Sequence, residues 1–135
     1  MKATLVDTSV LLDVAIEDSP WSDWSAEQLE TAANESHLVI NAIIYAEVSI
    51  NYDSLEELDE HLSPDAFRRE PLPFAAGFLA GKAFLKYKKR GGLRTSPMPD
   101  FYIGAHAAVA GLRLLTRDPR RYRQYFPTVE LICPQ

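Results

Sequence analysis

The sequence has 135 residues, 47% of them hydrophobic and 24% charged. That length fits one domain, residues 1–135, and the apolar share excludes a largely disordered chain. The net charge of −5, taken as a whole, excludes a uniformly basic nucleic-acid binder.

Residues 2–6 form a short strand-like run that ends at Asp7. Thr8 and Ser9 then offer a hydroxyl N-cap, with Val10, Leu11, Val14 and Ala15 at helical spacing before Ser19-Pro20 breaks the helix. A second helix is predicted over 22–35, with Trp24, Leu29 and Ala32 or Ala33 inward, and a second strand over 37–40. Asn41 can cap a third helix running to about residue 50. Residues 54–62 read as a short acidic helix with Leu55, Leu58 and Leu62 on one face, and Pro64, Pro71 and Pro73 punctuate the middle of the chain. A long helix is predicted over 73–90, closed by Gly91-Gly92, then a loop over 93–98. Pro99 suits the first position of a small-residue helix ending at Gly111. A third strand over 112–116, a helical turn over 118–125 and a last strand over 129–132 complete the order. Strands alternating with helices favour an α/β sandwich with a central, mostly parallel sheet, whose ligands bind outside the carboxyl ends of the strands.

The small net charge is a cancellation. Residues 1–67 carry one basic residue, Lys2, against 15 acids, a balance of −14; residues 68–135 carry 13 basic residues against four acids, a balance of +9. Cys133 is the single cysteine, so neither an intrachain disulfide nor a thiolate metal cluster can form. No apolar run approaches the ~18–20 residues that span a bilayer, and the start lacks a signal-peptide stretch. A cytoplasmic protein is the expectation.

Four acids stand where chemistry could sit. Asp7 follows the first strand and Asp118 follows the third, so two carboxylates fall at carboxyl ends of strands expected to be parallel. Neighbouring strands lie about 4.8 Å apart, and the two acids could then converge on one cation. Asp118 before Pro119 is also a good helix cap, and Asp7 before Thr8-Ser9 can be a turn acid. Glu47 falls in line with Ile43 and Ile50, a carboxylate interrupting an apolar stripe. Either it meets a partner or a cation, or it reaches water from the helix edge. Asp100 lies in the first turn of its helix, where a carboxylate complements the dipole, yet it is the one acid between Glu70 and Asp118. Together these hard oxygen donors, without cysteine or paired histidine, select Mg²⁺ or Mn²⁺. Such ions activate water and neutralise charge in phosphodiester hydrolysis.

Leu5-Val6-Asp7-Thr8-Ser9, Glu47, the stretch 99–107 beginning Pro99-Asp100, the run Leu114-Leu115-Thr116-Arg117-Asp118 and the closing segment 121–127 resemble the PIN-domain ribonucleases, and within them VapC-like toxins of bacterial toxin–antitoxin pairs. The resemblance spans the chain in order. It implies a PIN-like three-layer α/β/α sandwich and a metal-dependent endoribonuclease. It further implies that Asp7, Glu47, Asp100 and Asp118 hold Mg²⁺ or Mn²⁺, and that Thr8, Ser9 and Thr116 orient ligands or water. A homodimer and a cognate antitoxin are implied as well. Asp53 and Asp13 are fallbacks for Glu47 if the third helix is out of register.

Lys82, Lys86 and Lys89 share one face of the long helix, and Lys88, Arg90 and Arg94 widen the patch. A basic stripe of this kind is often only a solvated face. No acid between Glu70 and Asp100 can pair with it, so it is a candidate for RNA phosphates, with Arg117, Arg120, Arg121 and Arg123 as extensions. His106, six residues beyond Asp100, suits packing better than catalysis. His37 and His61 lack zinc partners. Trp21, Trp24, Phe74 and Phe78 are assigned to the core or a dimer interface. Other readings fit less well: a haloacid dehalogenase-type phosphatase needs a second Asp where Ser9 stands, and a receiver domain needs another acid order and a later Lys. A catalytically inactive PIN-like module that binds RNA or protein is the alternative to the enzyme.

Overall fold

The computed structural model describes residues 1–16 and 18–135. Five short strands are β1 (Thr4–Val6), β2 (Leu38–Ile40), β3 (Phe67–Arg69), β4 (Arg113–Leu115) and β5 (Leu131–Ile132). The helices are α1 (Thr8–Ala15), α2 (Ser22–Glu35), α3 (Ala42–Ser49), α4 (Leu55–His61), α5 (Phe74–Lys89), α6 (Pro99–Ala110) and α7 (Arg120–Tyr125). The strands form one sheet in the order β3-β2-β1-β4-β5, and every pairing is parallel. The α/β sandwich expected from the sequence is present, with a sheet that is parallel throughout.

β1, β2 and β4 are buried along their whole length and are mostly apolar; the polar starts of β1 and β4 meet each other, Arg113 Nε donating to Thr4 Oγ1 at 3.2 Å. β1 sits at the centre, with β2 on one side and β4 on the other. The chain leaves β1 toward β2 and β3, then returns to the far side for β4 and β5. The crevice beside β1 is therefore a topological switch point, where open parallel sheets bind ligands. Helices pack in two groups, α1 with α2 and α3, and α6 with α5 and α7, with α3 also meeting α6.

Several expectations need correcting. β3 is a strand that the punctuated middle concealed: of Phe67-Arg68-Arg69 only Phe67 is buried, because the strand lies at the sheet edge, where Arg68 is exposed and Arg69 pairs with Asp59 at 2.7 Å. On α3 the buried face is Ile44 and Val48; Ile50 is 83% exposed just past the helix, so no stripe joins it to Glu47. Glu47 instead sits half-buried beside that face. Val14, Ala15 and Leu55 point outward, not into the core, while of the pair Ala32 and Ala33 it is Ala32 that is buried. Phe74 is 100% exposed, and Phe78 is largely exposed, which removes both from the core.

The caps behave as their chemistry requires. Asn41 accepts from the Ile44 amide at 2.9 Å, and Pro99 opens α6. Gly111 closes α6 at φ 66°, a left-handed position that favours glycine. Gly104 serves a different need: a Cβ there would lie 2.3 Å from the Phe126 ring, so its lack of a side chain lets the buried ring pack against α6. His106 packs as expected, buried with Nδ1 3.0 Å from Asn41 Nδ2. It ties α6 to the start of α3. No helix among the described residues is long and apolar enough to cross a membrane.

Candidate functional site

The parallel pairing of β1 with β4 sets Val6 opposite Leu115, so the two chains leave the sheet side by side. The backbone stitch continues one residue further, where the Asp7 amide donates to Leu115 O at 2.9 Å. Asp7 then turns into α1 as its cap, accepting from the Thr8 amide at 2.8 Å. Its second carboxylate oxygen accepts from Thr116 Oγ1 at 2.7 Å and Ser9 Oγ at 3.2 Å. Thr116 Oγ1 also accepts from the Asp118 amide at 3.0 Å, and the Arg117 amide donates to Ser9 Oγ at 3.2 Å. Thr8, Ser9 and Thr116 thus bind the ends of β1 and β4 around Asp7.

Thr8 Oγ1 donates to Glu47 Oε1 at 2.7 Å, which brings α3 to the same place. Asp100 comes from the first turn of α6 and pairs with Arg121 of α7, Nη1 to Oδ2 at 3.2 Å. Asp118 is exposed on the loop before α7, and α7 has no side-chain cap, so the capping role available to Asp118 is not taken. The structure therefore gathers Asp7, Glu47, Asp100 and Asp118 at the carboxyl edge of the sheet. The fallback Asp13 is fully employed elsewhere, accepting from Ser19, Ser25 and Arg117 at 2.8–2.9 Å. Asp53 lies exposed beyond α3.

The acids act on one another. Asp7 is 6% exposed, and burial is the main reason its pKa rises from 3.8 to about 6. The nearby negative Asp100 adds to the rise, while the three donors hold it down. Burial likewise raises Asp100; Arg121 opposes this and Asp118 adds to it.

In the sequence Tyr122 stood only within the closing segment 121–127, with no role attached to it, yet it lies close to Asp7, Asp100 and Glu47. It is 1% exposed, and its hydroxyl lies beside the Asp7 carboxylate, with no well-formed hydrogen bond among the described residues. Burial, then Asp7 and Asp100, push its ionisation well above the usual phenol range. Among the described residues no three His, Cys, Asp or Glu side chains stand close enough to hold a metal ion as arranged.

An open cleft of about 1020 Å³ is lined by two of these acids, Asp100 and Asp118, together with Arg117, Arg120, Arg121 and Arg123. Its positive charge comes from the segment 117–123, not from the lysine stripe. Lys82, Lys86 and Lys89 are exposed on α5. Lys82 lies over the Phe78 ring at 5.1 Å and borders a separate shallow groove. Arg90 stacks over Tyr125 of α7 at 5.6 Å, and Arg94 lies exposed in the following loop. Arg117 borders the cleft, but its Nε is tied to Asp13 at 2.8 Å.

Comparison with known proteins bears on this arrangement. No curated protein matches the sequence. The fold is similar to that in VapBC2 from Rickettsia felis bound to a promoter DNA fragment, at 18% identity and a TM-score of 0.73 over 98% of each chain. VapBC-1 from nontypeable Haemophilus influenzae gives 18% identity and 0.72 over 96% of each chain. FitAcB from Neisseria gonorrhoeae gives 18% and 0.71, again over 96% of each. At such identities the likeness speaks for the fold. The family model described as PIN domain matches residues 4–127, from the first strand through the arginine-lined turn, and the chain belongs to the PIN-domain family.

Proposed function

We propose that this chain is a metal-dependent endoribonuclease that acts as the toxin of a toxin–antitoxin pair. The observation that carries the proposal is the buried Asp7, whose pKa the nearby Asp100 helps to raise, at the β1–β4 switch point beside a cleft rich in arginine. A cluster of negative charge beside a positive cleft suits a cation at the acids and a phosphodiester in the cleft.

The donors fit a hard divalent ion. They are carboxylate oxygens, with no sulfur among them, and the buried Tyr122 hydroxyl beside Asp7 supplies a further polar atom at the same place. Asp7, Glu47, Asp100 and Asp118 would hold Mg²⁺ or Mn²⁺. When bound, such an ion neutralises phosphate charge and makes water a stronger nucleophile. Thr116 and Ser9 fix both the orientation and the ionised state of Asp7, and Thr8 fixes Glu47. Arg117, Arg120, Arg121 and Arg123 orient the RNA backbone and offset its charge, and Lys82, Lys86, Lys89, Arg90 and Arg94 extend the basic surface on one side.

The similar structures named above include VapBC complexes, which supports a protein partner for this chain, a cognate antitoxin. A homodimer belongs to the same proposal, and the exposed Phe74, Phe78 and Leu85 of α5 are apolar surface available to it.

The test is cleavage of RNA with Mg²⁺ or Mn²⁺, with and without EDTA, by wild type and Asp100→Asn. Cleavage by wild type alone, stopped by EDTA, is expected. Equal cleavage by both proteins overturns the mechanism. Binding of RNA without cleavage under any metal condition favours the inactive PIN-like binding module instead.

A further inference from the structure

Arg121 is placed unlike the other cleft arginines. Arg117 is committed to the buried Asp13, and Arg123 reaches Cys133 Sγ at 3.2 Å. Arg121 turns inward onto one of the four site acids. Its Nη1 lies 3.2 Å from Asp100 Oδ2 and 3.3 Å from Met98 Sδ. Its guanidinium carbon lies 5.7 Å from the centre of the Phe101 ring and 6.0 Å from that of Tyr87. The planar head is thus held by aromatic rings while one edge meets a carboxylate, an arrangement a guanidinium suits and an ammonium does not.

We infer that Arg121 is a built-in counter-ion that competes with the divalent cation for Asp100. The inference rests on the proposed metal site. One carboxylate oxygen of Asp100 already has a cationic partner in Arg121 Nη1. An ion that takes Asp100 as a ligand competes with that partner for the same carboxylate charge and weakens the pair. Arg121 is then free to face the cleft that it already lines. Cation occupancy and the charge offered to a phosphodiester are coupled: each favours the other through the same guanidinium. Arg121 is a positioning residue in this scheme, setting the metal affinity of the site through Asp100.

The experiment is calorimetric titration of the RNA-free protein with Mn²⁺, for wild type, Arg121→Gln, Arg120→Gln and Asp100→Asn. Both arginine variants remove one positive charge from the cleft, but only Arg121 pairs with Asp100. Both ends of that pair are more than a third exposed, so the competition is modest. Arg121→Gln is expected to bind Mn²⁺ about twofold to fivefold more tightly than wild type, from the worth of a half-exposed ion pair. Arg120→Gln is expected to shift it by less than about twofold, through distance and screening. An unchanged affinity in Arg121→Gln, or an equal gain in both variants, overturns the inference. Failure of the wild type to bind Mn²⁺, with Asp100→Asn indistinguishable from it, overturns the metal site itself.

Discussion

The two ends of α1 each bury a carboxylate, and they treat it in opposite ways. Asp13 is 3% exposed and receives two serine hydroxyls and the Arg117 guanidinium, a cation from the chain itself. Asp7, six residues earlier, receives only neutral donors and faces another acid, Asp100. Burying a charge is tolerable when it is paired and costly when it is not. Asp13 is complete within the protein and holds the chain after α1 to the start of α2 and to the loop after β4. Asp7 is left with charge to share, and that surplus is what the proposed metal site would use.

The comparison can be broken first at the level of activity. Asp7→Asn is expected to lower metal-dependent RNA cleavage by at least about 100-fold, whereas Asp13→Asn retains it in the folded protein. Equal losses in both, with folding confirmed by circular dichroism, would remove the distinction. Thr116→Val is the next largest effect. It deletes the 2.7 Å donor to Asp7 and the acceptor for the Asp118 amide, and a loss of about 10- to 100-fold in cleavage is expected.

Stability should move the other way. Asp13→Ala strands Ser19, Ser25 and Arg117, and thermal or urea unfolding should report a loss of about 2–3 kcal/mol. The figure is reduced from that of a fully buried pair because Arg117 is partly exposed and water takes up some of its charge. For Asp7 the sign follows from the raised pKa. The folded state holds the proton more firmly than the unfolded chain, so the metal-free protein gains stability as pH falls from above about 6 toward 3.8, and the penalty is fully present above 6. Asp7→Asn should remove that slope and stabilise the EDTA-treated protein at pH 8 by roughly 1–2 kcal/mol, less than the full charge penalty because an acceptor oxygen is also lost. A variant less stable than wild type at pH 8 would show the site to be satisfied without a cation.

His106 gives a contrasting pH response from the packing side of the molecule. Burial lowers its pKa, and Glu70 opposes that shift. Its contribution to stability is lost as pH falls below the ordinary value of 6.5, the reverse of the Asp7 trend, so the two must be separated with single variants.

Most of the elements were legible in the residues. Apolar runs ending at Asp7 and Thr116, the Asn41 cap, Pro99 at a helix start and Gly111 at its end are local signals, and each acts through its own few atoms. The order of strands and helices followed from them. β3 was not legible, because a three-residue edge strand with one buried side chain has no pattern to read. The Ile43–Glu47–Ile50 stripe failed for a related reason: α3 ends at Ser49, so Ile50 never belongs to the helical face.

Residue types and spacing alone established the candidate acids, the charge division between the halves and the alternating α/β order. Chemistry of that kind is carried by side chains and short segments. Only the tertiary structure decided that β1 and β4 are neighbours, which is what brings Asp7 to Thr116 across 109 positions of sequence. It also decided that the cleft takes its charge from 117–123, that Asp13 is spent on Arg117, and that Tyr122 buries a hydroxyl beside the Asp7 carboxylate. Those outcomes depend on which groups meet across the fold and which are left over, and partnership at a distance is settled by packing.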